Sequence, residues 1–555
     1  MKGSLSSTRF ATAASIPHAR RRKVPQTIVI SSSTSGPKLA IKRVSTFDQA
    51  RRMAEQSNLP IIETGIPELD VVLRGGLPRN RLHLIEGAPG TGKTTLGLRF
   101  LLDGISRDER CLYVTLSEST EELKTAASTH GWNIDEIEFF ELIPEEALPE
   151  RQQTVLFPAE VEFGKTIQQL IDRIERSNPD RIIIDSVSEV RMLAQDPLQF
   201  RLQMTSLKRY LQGRNVTVML LDDLTETDKG DLHSLVHGVL SLRLFERDYG
   251  AARRRLRVAK MRGVNFQSGW HDYAIVTGEF LVFPSLIAEE HQGVVEGAPL
   301  LSVFEDLNGV FPQGLDRGTT TMLIGPSGAA KSTLAMSYAL AATQSGESAS
   351  FFSFDETYET FLRRSESMNL DPTDAIRAEK FYWRRMNPSR ISPGEFVWQV
   401  RRDVEGRNVR VVVIDSINSY LSTMPQEQSL ILHLHELLSY LNKQGIVTIL
   451  VLAQQGVVGD VENPIDLSFL SDTVVLCRFF EAAGTLRRAL AIVKRRTGAH
   501  DLAIHEYRLS SAGMQVGPEL TELRGIFTGV PVYTGAHEEL LDAVPDDGTR
   551  DESTR

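Results

Sequence analysis

The stretch GAPGTGKTT, residues 87–95, satisfies every fixed position of the phosphate-loop pattern G-x-x-x-x-G-K-[ST]. It follows a short apolar run, RLHLIE at 81–86, and opens into TTLGLRFLLDGI, whose apolar residues recur at helical spacing. A glycine turn between a strand and a helix aims backbone N–H groups and the positive end of the helix at an anion. The expected phosphate contacts are Gly87, Gly90, Thr91, Gly92, Lys93, Thr94 and Thr95. Lys93 places its charge at the β and γ oxygens, and the Thr94 hydroxyl is the expected Mg²⁺ ligand. The bound pair predicted here is a nucleoside triphosphate with Mg²⁺.

A second stretch, GPSGAAKST at 325–333, fits the same pattern except that Ala330 stands where glycine precedes the lysine. The contacts predicted for it are Gly325, Ser327, Gly328, Ala329, Ala330, Lys331, Ser332 and Thr333, with Ser332 on the metal. A Cβ at a position that needs positive φ costs on the order of 1–2 kcal/mol. That is far less than the contacts made to a triphosphate, so the loop reads as a reshaped nucleotide site; a relic is the competing reading. Alanine here also resembles the A-K-S loops of MCM helicases.

The two loops belong to a long repeat. Lys93 and Lys331 are 238 apart (331 − 93), and each is followed by an apolar run ending in Asp-Ser, RIIIDS at 181–186 and VVVIDS at 411–416. VAKMRG at 258–263 is answered by IVKRRT at 492–497, a shift of 234 between Lys260 and Lys494 (494 − 260). Apolar runs of this kind are buried parallel strands, and a carboxylate at the C-terminal edge of such a strand lies where ligands collect in open sheets. Asp185 and Asp415 are therefore the expected carboxylates of the Mg²⁺ shell. The fold class predicted is α/β, with two tandem P-loop domains, each a mostly parallel sheet flanked by helices. The expected divisions are a basic disordered tail at 1–46, domains at 47–290 and 291–530, and an acidic tail at 531–555.

Composition narrows the class. The 555 residues are 41% hydrophobic and 24% charged, with no run near the roughly 18 apolar residues of a membrane span. A soluble, cytoplasmic protein is predicted. The formal charge of −10 argues against a nucleic-acid partner, and two isolated cysteines supply neither a zinc site nor a redox dithiol. Residues 1–45 carry nine basic side chains and no acid, the composition of a disordered tail or a transit segment, or of a start placed upstream of Met53.

Hydrolysis needs a carboxylate to orient water. Candidates follow the strand after each loop helix: Glu118, preceded by Ser117, in the first half, and Asp355 with Glu356 in the second. In the basic strands, residues two apart share a face, so Lys260 with Arg262, and Lys494 with Arg496, make paired prongs. One use is a finger reaching a neighbouring subunit's nucleotide in trans. A solvated or structural role and a nucleic-acid stripe are the other readings.

With these residues in hand, the chain resembles the KaiC family of RecA-like ATPases over roughly residues 60–530. The resemblance rests on TGIPELDVVLRGGLPRN at 64–80, the loop at 87–95, YVTLSEST at 113–120, RIIIDSVSEV, KMRG and the tandem copy. It implies ATP-driven assembly into double-ring homohexamers with nucleotide between subunits. It further implies slow ATPase activity in the first ring and serine/threonine autokinase activity in the second, and a signalling protein as partner. The family's Ser-Thr phosphoacceptor pair aligns with Ser468 and Phe469, leaving Ser468 as the candidate acceptor. Two other activities compete: a RecA- or DnaB-type DNA motor, and a scaffold that assembles on ATP without hydrolysing it.

Overall fold

Runs such as RIIID and VRVVVID are apolar at consecutive positions because both of their faces are covered. Ile182 and Ile184 enter one core and Ile183 the other; Val412 and Ile414 are likewise separated from Val411 and Val413. A strand clothed on both sides loses the alternation of a half-exposed strand.

The computed structural model describes residues 59–535, apart from 143–158, 195, 224–231, 247–249, 423–428, 455–466, 483, 499, 512 and 529–530. The predicted tail at 1–46, the start at Met53 and most of the acidic tail lie outside the described residues. Within the latter, Val532–Tyr533 pairs with Leu523–Arg524 as a two-stranded ribbon.

The first half forms a sheet from β1 (Leu82–Gly87), β2 (Cys111–Thr115), β3 (Glu138–Glu141), β4 (Arg181–Asp185), β5 (Thr217–Asp223), β6 (Gly238–Phe245), β7 (Arg253–Met261), β8 (His271–Val276) and β9 (Glu279–Phe283). The second half supplies β10 (Thr320–Pro326), β11 (Ser348–Ser353), β12 (Phe381–Arg385), β13 (Val409–Asp415), β14 (Val447–Gln454), β15 (Thr473–Ala482), β16 (Thr485–Arg495), β17 (His505–Ser510) and β18 (Gly513–Glu519). Strand order is β3-β2-β4-β5-β1-β6-β7-β8-β9 in one sheet and β12-β11-β13-β14-β10-β15-β16-β17-β18 in the other. Adding nine to each label of the first order gives the second. The first six strands of each order are parallel and the last three antiparallel. The tandem RecA-like α/β architecture is therefore present twice; the antiparallel edge is an addition that the sequence pattern did not disclose.

The loop helices α1 (Lys93–Ile105) and α2 (Lys331–Gln344) lie against these sheets. Small residues let α1 approach closely: a Cβ on Gly97 would already touch Ile183 and Leu221 at 3.4 Å, and one on Gly104 would meet Arg181 at 2.8 Å. The space at Gly104 belongs to the fully buried Arg181, whose guanidinium donates to Glu109 at 2.5 Å, Asp103 at 2.9 Å and the Phe100 carbonyl at 2.7 Å. The halves are stitched through β7 and β8. Arg253 donates to the Ile391 carbonyl at 2.8 Å, and Asp272 accepts from the Gly394 N–H at 2.9 Å.

Candidate functional site

Each phosphate loop emerges at the C-terminal end of the central strand, β1 or β10, and turns directly into its helix. The residue before the lysine is left-handed in both: Gly92 at φ 89° and Ala330 at φ 62°. Ala330 therefore carries the expected strain of an L-residue in that region. What lies opposite explains why only one loop accepts a Cβ. On Gly92 it would come within 2.2 Å of the Ile275 terminal methyl, whereas the position answering Ile275 in the second half is Leu509 (275 + 234), branched one carbon farther out. Gly92→Ala is expected to lower stability by about 1–3 kcal/mol, and adding Ile275→Leu to recover the overpacking part. Thermal unfolding of the three proteins checks this; an unchanged midpoint in the single variant would contradict it.

The hydroxyl and carboxylate read as metal ligands meet in both halves. Thr94 Oγ1 donates to Asp185 Oδ2 at 2.9 Å, and the Ser332 hydroxyl bonds the Asp415 carboxylate. Burial pushes both carboxyls above the usual aspartate range, while these hydroxyl contacts pull the other way. One hydroxyl and one carboxylate per site fit Mg²⁺ held jointly with phosphate oxygens and water. Among the described residues no group of three or more His, Cys, Asp or Glu gathers into a separate metal site.

The rest of each site differs between the halves. Lys93 Nζ donates to the Gly87 carbonyl at 2.8 Å and pairs with Asp223 at 2.7 Å. Lys331 donates to the Pro326 carbonyl at 2.7 Å, and burial lowers its pKa. Strand register puts Ala453 where Asp223 stands in the first half, since Gly87 pairs with Asp223 and Gly325 with Ala453. Tyr113 donates its hydroxyl to Asp185 at 2.5 Å.

Glu118 sits at the surface after β2, and burial plus the nearby Asp185 charge raise its pKa. Its backbone is fixed by Thr115, whose Oγ1 donates to the Glu118 carbonyl at 2.6 Å. In the second half Asp355 accepts from Ser416 and Ser419 at 2.8 and 2.6 Å, and Glu356 pairs with Arg364 at 2.8 Å.

The prong pairs occupy equivalent places. Lys260 donates to the carbonyls of His233 and Val236, and Arg262 to that of Ser234 at 3.1 Å. Lys494 donates to the carbonyls of Ser468 and Ser471, both at 2.7 Å, and Arg496 to that of Phe469 at 3.1 Å. Each lysine is half-buried and each arginine exposed, so the cations lie along the surface turn before β6 or β15 and outside the hydrophobic cores. Ser468 is half-buried in a single turn of 3-10 helix at that place.

Four further residues were missed. The hydroxyls of Tyr273 and Tyr507 each donate, at 2.5 Å, to a loop carbonyl, Thr91 in one half and Ala329 in the other. Arg254 and Arg488 reach the next carbonyls back, Gly90 at 3.5 Å and Gly328 at 3.2 Å. Both pairs are separated by 234 (507 − 273 and 488 − 254), the shift already seen at Lys260 and Lys494. Extending that register would have found them.

A family model described as ATPase: KaiC matches residues 62–286 and again 302–521. The chain is similar to circadian clock protein KaiC3 of Synechocystis sp. (strain ATCC 27184 / PCC 6803 / Kazusa), 24% identical over 492 residues, which covers 87% of this chain and 97% of that protein. It is also 24% identical over 519 residues to circadian clock oscillator protein KaiC of Parathermosynechococcus lividus, covering 88% of this chain and 91% of the relative. Circadian clock protein KaiC2 of the same Synechocystis strain is 24% identical over 465 residues, 82% of this chain and 80% of its own length.

Proposed function

The chain belongs to the KaiC family of ATPases, matched twice along its length, and from that premise we propose a ring-forming signalling ATPase that binds Mg-ATP in both halves and hydrolyses it between subunits. The observation that carries this reading is the duplicated strand, loop and helix in which a loop hydroxyl meets a buried strand-end aspartate, Thr94 with Asp185 and Ser332 with Asp415.

In this reading the loop amides, Lys93 and Lys331 hold the phosphates, and Arg254 and Arg488 steady the loops from the same chain. Thr94, Asp185, Ser332 and Asp415 hold the Mg²⁺ that accompanies ATP, which neutralises charge on the transferring phosphoryl group. Glu118 orients the attacking water in the first half, its raised pKa making it a better proton acceptor than an ordinary surface glutamate. Lys260 with Arg262, and Lys494 with Arg496, extend toward the nucleotide of an adjoining protomer, giving a homohexamer that assembles with ATP. Exposed Met192, Leu198 and Leu202 supply apolar surface of the kind a neighbouring copy covers. Autophosphorylation of Ser468 in the second half, a cytoplasmic location and a signalling-protein partner complete the proposal. Among the described residues no helix is long and apolar enough to cross a membrane.

Incubation with γ-labelled ATP and Mg²⁺, followed by size-exclusion chromatography and mass spectrometry, tests assembly, turnover and phosphorylation together. A six-chain particle releasing labelled phosphate is expected. A chain that stays monomeric at saturating nucleotide would contradict the reading.

A further inference from the structure

Helix α3 (Thr120–Thr129) in the first half and α4 (Tyr358–Ser367) in the second begin one residue after equivalent N-caps, Ser119 and Thr357. Glu118 and Glu356 each precede their cap by one position. Seven residues past the cap the copies diverge: Arg364 in the second half (357 + 7) faces an alanine, Ala126, in the first (119 + 7). Arg364 lies against Glu356 as a two-pronged fork, Nε to Oε1 at 3.1 Å and Nη2 to Oε2 at 2.8 Å, with the remaining Nη1 at 3.4 Å from Thr333 Oγ1 of the loop helix. Both partners are largely sheltered, at 23% and 18% exposure. The guanidinium also rests over the Phe361 ring, 5.7 Å from its centre. The second candidate acid is occupied too, since Asp355 accepts from Ser416 and Ser419. By contrast, among the described residues the Glu118 carboxylate of the first half has no hydrogen-bond or ion-pair partner.

We propose that Arg364 is a latch on the second nucleotide site, holding Glu356 away from the attacking group so that this site retains ATP while the first one turns it over. This rests on the ATPase reading above. In hydrolysis the water oxygen bonds to the γ-phosphorus as that phosphorus separates from the β-bridging oxygen, releasing ADP and phosphate. The water's proton must leave for a carboxylate or a phosphate oxygen, and the water must first be hydrogen-bonded by an acceptor. A bidentate guanidinium engages both Glu356 oxygens in their plane, where such a water would otherwise bind. Glu356 is tied to the end of β11, its N–H donating to Ser353 Oγ at 3.3 Å, while Arg364 rides on α4, so a shift of α4 relative to that strand opens the latch. The same contact would restrain transfer to a serine hydroxyl. Arg364 is thus a positioning residue, acting through Glu356.

The test uses the full-length protein carrying Glu118→Gln, so that phosphate release reports the second site. Arg364→Ala, and separately Arg364→Met to keep the packing over Phe361, are expected to raise release roughly 10-fold or more. Adding Glu356→Gln should remove the gain, which a merely structural effect of Arg364 would not explain. Binding of a fluorescent ATP analogue is measured alongside. Unchanged or reduced release in both Arg364 variants, with analogue binding intact, would overturn the latch alone. A second site that takes up no analogue in any variant would overturn the reading on which the latch rests.

Discussion

Lys93→Ala is expected to remove most of the protein's ATP turnover, by about 10²-fold or more. The side chain is buried at the mouth of the loop, donates to the Gly87 carbonyl and is balanced by Asp223. With triphosphate present, its charge would offset the negative charge that builds on the phosphate oxygens as the phosphoryl group transfers. Alanine also strands the Asp223 carboxylate next to an incoming polyanion, adding repulsion to the lost attraction. On the proposal that Arg364 holds Glu356 away from the attacking group, Lys331→Ala should cost far less in total turnover. Steady-state phosphate release by wild type and the two variants distinguishes these effects. Undiminished turnover in Lys93→Ala would overturn the assignment of the first site.

The largest effect on stability is expected at Arg181. It opens the strand that ends in Asp185, yet it is wholly buried and binds two carboxylates and two carbonyls. Taking one partner out of a buried ionic group leaves the others desolvated without compensation, which costs about 3–5 kcal/mol. Arg181→Ala should therefore lower the unfolding midpoint of the first half by about 6–20 °C while the second half melts near its wild-type temperature. Calorimetry with both transitions resolved checks this. A loss below about 1 kcal/mol would show that Asp103 and Glu109, each 14% exposed, recover their hydration when the arginine is gone.

What could be read from the chain alone followed from burial. Strands covered on both faces leave contiguous apolar runs, so RIIID and VRVVVID, the loops beside them and the tandem repeat were visible without coordinates. The antiparallel edge was not. HDYAIV and HEYRLS mix polar and apolar residues because part of each strand faces a loop rather than a core, and nothing local says that Tyr273 or Tyr507 will reach a carbonyl about 180 residues earlier. Arg253, Arg254 and Arg255 are consecutive in sequence and look alike there. In the fold they are divided by strand alternation: Arg253 ties the halves together, Arg254 turns to the phosphate loop and Arg255 pairs with Asp272. Arg364 was unremarkable in sequence, one of two arginines on an amphipathic helix; its meaning comes from the first half having alanine there.

The account depends most on nucleotide sites completed from an adjoining protomer. Mixing two silent proteins tests this directly: Lys93→Ala, which keeps its prongs but lacks a working loop, and the double variant Lys260→Ala/Arg262→Ala, which keeps its loop but lacks prongs. Both carry Glu356→Gln to silence the second half. In a randomly mixed ring at equal amounts roughly a quarter of the junctions join an intact loop to intact prongs. Phosphate release should therefore reappear on mixing, peak near equal proportions and vanish again at either extreme. A mixture no more active than the sum of its separate components would contradict the account.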